Sequence, residues 1–179
     1  MKLNINYMVD EQITNECLNI NQKINQLAQG DINFSDGTCR PHITLLMGDV
    51  DEENLPEIEK RMKGLNFTSL YENIKFKKPY ISGKYIVIDV EDDTKFKQDC
   101  QMLLDTFSDI LTPGHFNIAK GTATPHITLG FAKKNPELEA YIESLEPLPD
   151  TMVDTISVAE AGAHGTVLVK PQKQEEKQA

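Results

Sequence analysis

The sequence predicts an α+β fold: two antiparallel-rich sheets face one another across a central cleft with helices on the outside, built by duplication within a single bilobal unit spanning residues 1–170. Three observations lead there. The phrase Pro-His-Ile-Thr-Leu occurs twice, at residues 41–45 and 125–129. Each copy sits in the same order of hydrophobic patterns: strand, helix, loop, phrase, helix, strand. The patterns around both copies change between a period of two and a helical period, so sheet and helix are interleaved in each half, as layered α+β packing requires.

Taken in chain order, Leu3, Ile5, Tyr7 and Val9 alternate with Asn4, Asn6 and Met8, the period of a half-buried strand. Ile13, Cys17, Ile20, Ile24 and Leu27 then recur at helical spacing behind the candidate cap Asp10, and Gly30 ends the run. DINFSDGTCR is a loop by its Gly, Asp, Asn and Ser content and delivers the chain to the first phrase. Asp49 and Asp51 are candidate caps, and Pro56 opens a short helix carrying Leu55, Ile58 and Met62 that closes at Gly64. Phe67 to Tyr80 reads as strand, ISGK as a turn, and Tyr85 to Val90 as a central strand.

The second half repeats this order. Phe96, Cys100, Leu103, Leu104 and Phe107 form an amphipathic helix behind Asp92 or Asp93, a Gly/Pro-containing loop leads to the second phrase, and Asn135-Pro136 opens a helix with Leu138, Tyr141, Ile142 and Leu145. Thr151 to Glu160 and Gly165 to Lys170 give a strand, a turn and a strand, shared or exchanged between halves. Residues 171–179, PQKQEEKQA, form a polar tail expected to be disordered.

Composition narrows the function classes. The net charge is −10, with two arginines, Arg40 and Arg61, against sixteen lysines. A long polynucleotide needs a basic footprint, so a long nucleic acid is an unexpected partner. No apolar run reaches the length of a membrane span and the start lacks a secretory pattern, so the expectation is a cytoplasmic protein, monomeric by default. Cys17, Cys39 and Cys100 have no CxxC spacing and read as buried free thiols. No metal-ligand spacing, P-loop, dinucleotide fingerprint or serine elbow is present, so neither a metal nor a cofactor is expected.

The repeated phrase carries the chemistry. In a strand, residues i and i+2 share a face, so His42 projects with Thr44 and His126 with Thr128, while Ile43, Leu45, Ile127 and Leu129 point into the core. Two imidazoles and two hydroxyls on one concave surface suit displacement at a phosphodiester. One neutral imidazole takes a proton from the attacking oxygen, the protonated partner gives one to the leaving oxygen, and the threonines donate to the non-bridging oxygens. Duplication also preserves folding residues, but here the polar face is repeated along with the apolar one. His115, after Pro113-Gly114, reads as a solvated loop residue, and His164 as a turn residue able to border the cleft. Lys75, Lys77 and Lys78 read as a solvated basic face.

With these residues the chain resembles the two-histidine phosphoesterases, within them the bacterial 2′-5′ RNA ligase and RNA 2′,3′-cyclic phosphodiesterase branch. The resemblance rests on His42-Ile43-Thr44-Leu45, His126-Ile127-Thr128-Leu129 and the stretch HITLLMGDVDEENLPEIEKRMKGL, and in element order it covers residues 1 to about 170. It implies a bilobal, metal-free site with His42, Thr44, His126 and Thr128 as the catalytic set. Many members of that branch carry an arginine shortly after the second motif; here the position holds Phe131, followed by Lys133 and Lys134. Phe131, Lys133 and Arg40, just before the first motif, are therefore the candidate substrate contacts.

The expected activity is metal-independent opening of a 2′,3′-cyclic or related phosphodiester on a nucleotide or short oligonucleotide. Two other readings stand beside it: degradation of cyclic oligonucleotide or 2′-5′-linked oligoadenylate signals, and a non-catalytic nucleotide-binding module. Which histidine is base and which acid is open at this level, because a pseudo-symmetric pair lets the substrate's orientation decide.

Overall fold

The structure, a computed structural model, describes residues 1–169, so the expected polar tail at 171–179 lies outside the described residues. The alternation at the start of the chain produces strand β1 (Lys2–Met8), with Leu3, Ile5 and Tyr7 in the core. Helix α1 (Glu11–Leu27) begins where the Asp10 carboxylate accepts the amide of Ile13 at 2.8 Å, and buries Ile13, Cys17, Ile20 and Ile24. The following loop ends in β2 (Cys39–Arg40), and the first phrase becomes β3 (His42–Val50). Helix α2 (Leu55–Met62), with Pro56 in its first turn, and the short β4 (Asn73–Ile74) follow.

A hairpin turning at Gly83, which has φ of 62°, joins β5 (Tyr80–Ser82) to β6 (Tyr85–Asp89). Then follow α3 (Thr94–Phe107), β7 (Leu111–Pro113) and, from the second phrase, β8 (His126–Phe131). Helix α4 (Pro136–Ser144) starts at Asn135, whose side chain accepts from the Leu138 amide, and β9 (Thr151–Met152), β10 (Thr155–Glu160) and β11 (Val167–Leu168) close the described chain. All three cysteines are free and buried, as expected.

One sheet has the order β10-β1-β3-β7 and another β5-β6-β8; β11 pairs with β2 and β4 with β9, and every pairing is antiparallel. The α+β class and the antiparallel character match expectation, and the expected exchange takes a definite form. The second strand after α2, β5, pairs with the next strand, β6; the second strand after α4, β10, pairs with the first strand of the chain, β1. Strands β3 and β8 lie against each other, which brings the two phrases together.

The pairing is broken at equivalent places. Between β1 and β3 the register runs Ile5↔Leu46 then Asn6↔Thr44, leaving Leu45 as the extra residue; between β6 and β8 it runs Ile86↔Gly130 then Val87↔Thr128, leaving Leu129 extra. Each phrase therefore ends in a β-bulge at its leucine.

The stretch 67–80 departs from the strand expected there. Asn73–Ile74 and Tyr80 pair as strand, Phe76 makes an isolated antiparallel bridge to Val90, and Tyr71 takes a positive φ of 63°. Phe67 and Leu70 pack on the core from a loop whose backbone is organised by a carboxylate instead of a ladder. Asp99 of α3, 1% exposed, accepts from Thr68 N at 2.7 Å, Thr68 Oγ1 at 2.8 Å, Ser69 N at 3.0 Å and the Tyr7 hydroxyl at 2.6 Å. Burial and this carboxylate together push the Tyr7 hydroxyl far above the usual tyrosine range. Asp99→Ala leaves these buried donors unpaired and is expected to lower unfolding stability by about 3 kcal/mol, measured by urea denaturation; a loss below about 1 kcal/mol would show the loop holds without the clamp.

Candidate functional site

The four residues of the two His-x-Thr phrases reach one cleft. A cavity of about 740 Å³ is lined by His42, Thr44, His126 and Thr128 together with side chains from β1, β5 and β6 and the turn at 162–165. Ile43, Leu45, Ile127 and Leu129 are each 0% exposed on the opposite face, as the two-residue period requires.

The histidines are held alike. His42 Nδ1 lies 3.1 Å from the carbonyl oxygen of Arg40, and His126 Nδ1 lies 2.7 Å from that of Thr124, two residues upstream in each case. A carbonyl only accepts, so Nδ1 is the protonated nitrogen in both rings, and in the neutral form each Nε2 carries its lone pair into the site. The carbonyls are themselves placed by order in the preceding loops. Buried Asn21 of α1 donates to Ile32 O and accepts from Phe34 N in the first loop, and in the second Asn117 Oδ1 accepts from Lys120 N while Thr122 Oγ1 bonds Asn117 O.

The surroundings differ. His126 Nε2 meets Thr128 Oγ1 at 3.1 Å; the ring is half-buried, stands edge-on to Phe116 at 5.8 Å, and has Asp89 as its cross-strand partner. Tyr80 donates its hydroxyl to Asp89 at 2.9 Å, and with burial this carboxylate pushes the phenol up to about 12. His42 is 8% exposed, and burial pushes its pKa down to about 4; the charges of His126 and Arg40 act in the same direction, while the backbone carbonyls of Arg40 and Gly165 oppose it.

Sequence reasoning missed several residues of this site. Asn4, 0% exposed, donates to Thr44 Oγ1 at 2.9 Å; its alternation with the core residues of β1 reads equally well as a solvated face. Tyr80, Tyr85, Phe116, Met47 and Lys2 line the cleft without any motif. His164 does border it: its ring stacks on Phe131 with centroids 3.8 Å apart, and its Nε2 lies 3.2 Å from Asp31 Oδ2. His115 is in an exposed loop outside the lining.

The three candidate substrate contacts are placed away from the lining. The Arg40 guanidinium donates to Ser157 Oγ of β10 at 2.6 Å, Lys133 is exposed beyond the end of β8, and Phe131 lies behind His164 and Tyr85. Among the described residues no three His, Cys, Asp or Glu side chains gather as metal ligands, and no helix is long and apolar enough to cross a membrane.

The sequence profile of the 2′-5′ RNA ligase superfamily matches residues 22–165, and the chain belongs to that superfamily, whose members are two-histidine phosphoesterases. A comparison with curated proteins by sequence gives no match. Among solved structures, the MHV ns2 PDE domain superposes with a TM-score of 0.56 at 12% identity, covering 89% of this chain and 99% of that one. The protein TT0787 of Thermus thermophilus gives a TM-score of 0.55 at 14% identity, covering 94% of each chain. At such identities these likenesses establish the fold.

The low proton affinity of His42 has a consequence for stability. In the unfolded chain the imidazole gains its proton near pH 6.5; in the folded chain it does so only near 4, so between those values the unfolded state binds more protons. Stability is present above pH 6.5 and is lost as pH falls toward 4, by about 3 kcal/mol. Denaturation across this window is expected to give a flatter profile for His42→Gln than for wild type; parallel profiles would mean that His42 titrates normally.

Proposed function

We propose that the protein is a metal-independent phosphodiesterase that opens a 2′,3′-cyclic or related phosphodiester on a nucleotide or short oligonucleotide, with His42, His126, Thr44 and Thr128 as its catalytic residues. The observation that carries this reading is the paired anchoring of Nδ1 to backbone carbonyls, which leaves both Nε2 atoms facing one cleft beside two hydroxyls.

In the proposed reaction a water oxygen attacks phosphorus and loses its proton to the neutral imidazole. One phosphorus–oxygen ring bond breaks, and its departing oxygen takes the proton held on Nε2 of the other imidazole. The product is a phosphomonoester with the neighbouring hydroxyl free, and proton exchange with solvent resets the pair. The threonine hydroxyls donate to the non-bridging oxygens, where charge grows in the transition state.

The size of the cleft falls within the range of small-ligand sites, and together with the acidic body it supports a mononucleotide or short oligonucleotide over a long strand. Tyr80, Tyr85 and Phe116 offer aromatic surface for a base, although none comes from a recognisable motif. The MHV ns2 structure is described as a PDE domain, which supports the same reaction class.

The test is turnover with EDTA present on a panel of 2′,3′-cyclic nucleotides, 2′-5′-linked dinucleotides and cyclic dinucleotides. His42→Ala and His126→Ala are each expected to lower kcat about a hundredfold or more, and Thr44→Ala and Thr128→Ala by up to about 10²-fold, with melting curves unchanged in character. Near-wild-type turnover in either histidine variant would sink the pair. Nucleotide binding that needs the histidines but yields no product would instead mark a binding module.

A further inference from the structure

The two His-Thr pairs share a backbone frame and differ in one neighbour. In the second pair His126 Nε2 meets the Thr128 hydroxyl, which can donate or accept, so that contact survives protonation of the ring. In the first pair a third side chain occupies the corner. Asn4 Nδ2 stands 2.9 Å from Thr44 Oγ1, 3.4 Å from His42 Nε2 and 3.3 Å from the Gly165 carbonyl oxygen. The amide nitrogen only donates, and the Gly165 carbonyl only accepts. Turning the amide to present Oδ1 would set two acceptors against each other, so Gly165 holds Asn4 as a donor; of its two hydrogens one goes to Thr44 Oγ1 and the other is shared between the Gly165 carbonyl and His42 Nε2.

Two further features fit a site built for this orientation. Asn4 is 0% exposed, and its Oδ1 has no partner, an arrangement that an apolar side chain of similar size would avoid if the position served packing alone. The carbonyl that locks it comes from a strained turn: His164 has φ of 58° and Gly165 of 70°, two consecutive left-handed residues at the wall of the cleft.

We propose that Asn4 is a positioning residue that holds His42 Nε2 unprotonated in the free site, and so makes His42 the proton acceptor and His126 the proton donor. The assignment of roles rests on the phosphodiesterase reading above. Because Thr44 Oγ1 accepts from Asn4, its own hydrogen is left for a phosphoryl oxygen, whereas Thr128 is shared with its histidine. The titratable and charged groups that face His42 or share its cleft are Arg40, His126, His164, Lys2, Asp89, Tyr80 and Tyr85, and all are unchanged in the variants compared.

The test follows each histidine by NMR titration of the full-length protein carrying 13C-labelled histidine, in wild type, N4D and N4A, with melting curves to check folding. In wild type the His42 midpoint is expected about one pH unit or more below that of His126. N4D sets a carboxylate against Nε2 and is expected to raise the His42 midpoint by about one pH unit or more, to move the acid limb of kcat/KM upward by a similar amount, and to leave His126 within about 0.3 unit. N4A removes the donor without adding charge and moves His42 the same way by less. Equal midpoints in wild type, or a His42 midpoint unmoved in both variants, overturn the proposal; should N4D fail to fold, N4A decides by the same criterion. Turnover with an unmoved His42 overturns the role of Asn4 and leaves the phosphodiesterase standing. A His42 that responds as expected in a protein that hydrolyses none of the panel supports the hold of Asn4 on the ring and overturns the enzymatic reading.

Discussion

The geometry of the cleft depends on one constraint applied twice: the β-bulge at the leucine that ends each His-Ile-Thr-Leu run. A regular strand would send the residue after each leucine back to the cleft face. With the extra residue inserted, Leu45 and Leu46 both enter the core at 0% exposure and Met47 returns to the cleft. In β8 the equivalent pair is Leu129 and Gly130, and a Cβ at Gly130 would lie 3.2 Å from Ile24 of α1, so the helix packs closely on the glycine and a side chain there would have to displace Ile24 by a few tenths of an ångström. The bulge leaves the Leu129 carbonyl off the ladder, and Asn21 satisfies it from α1 at 2.7 Å. The same asparagine organises the loop leading to the first phrase, so a repair in one half also shapes the approach to His42.

Strand exchange carries this coupling further. Strand β10 from the second half pairs with β1 over six registered residues, and β5 from the first half pairs with β6. Each half thus completes its sheet with the other's strand, and separating the halves would expose two ladder edges at once. The Gly162–Gly165 turn also belongs to the exchanged segment. It follows β10, and it places His164 and the Gly165 carbonyl over a site whose histidine lies some 120 residues earlier in the chain. Residues far apart in sequence meet because the exchange brings the end of the described chain back over its beginning.

What could be read from the sequence is what period and repetition encode. The helices behind Asp10 and Asn135, the hairpin at Gly83, the central strand at 85–89 and the shared face of His42 with Thr44 all follow from local spacing. The failures have physical reasons. Phe67 to Tyr80 has strand-like composition, but the carboxylate of Asp99, thirty residues away, takes the amides of Thr68 and Ser69, and pairing is confined to short pieces beyond them. Asn4 and Asn6 have the pattern of a solvated face and are instead fully buried, Asn4 against Thr44 and Asn6 against backbone carbonyls. Arg40 has the parity of His42 but spends its guanidinium on Ser157 of the exchanged strand, a partner no local pattern announces. A bulge leaves no mark on composition beyond the doublet Leu45-Leu46, which a simple alternation treats as an irregularity.

Repetition of the phrase supplies equivalence, and displacement at a phosphodiester, the reaction proposed for this site, needs its opposite, because the attacking and leaving oxygens make opposite demands on their protons. The two anchored imidazoles are equivalent by frame, each tied through Nδ1 to a carbonyl two residues upstream. Their differences come from the strands alongside. By register, Asn4 of β1 corresponds to Tyr85 of β6, and Met8 to Asp89. The first histidine thus has an amide donor and a buried, apolar setting, while the second has a carboxylate opposite and an open face. The repeated phrase fixes where the two rings stand, and the residues that were not repeated give them different surroundings. A site assembled this way can be directional without any change in the motif itself, and its polarity is set by positions that a search for the motif alone would pass over.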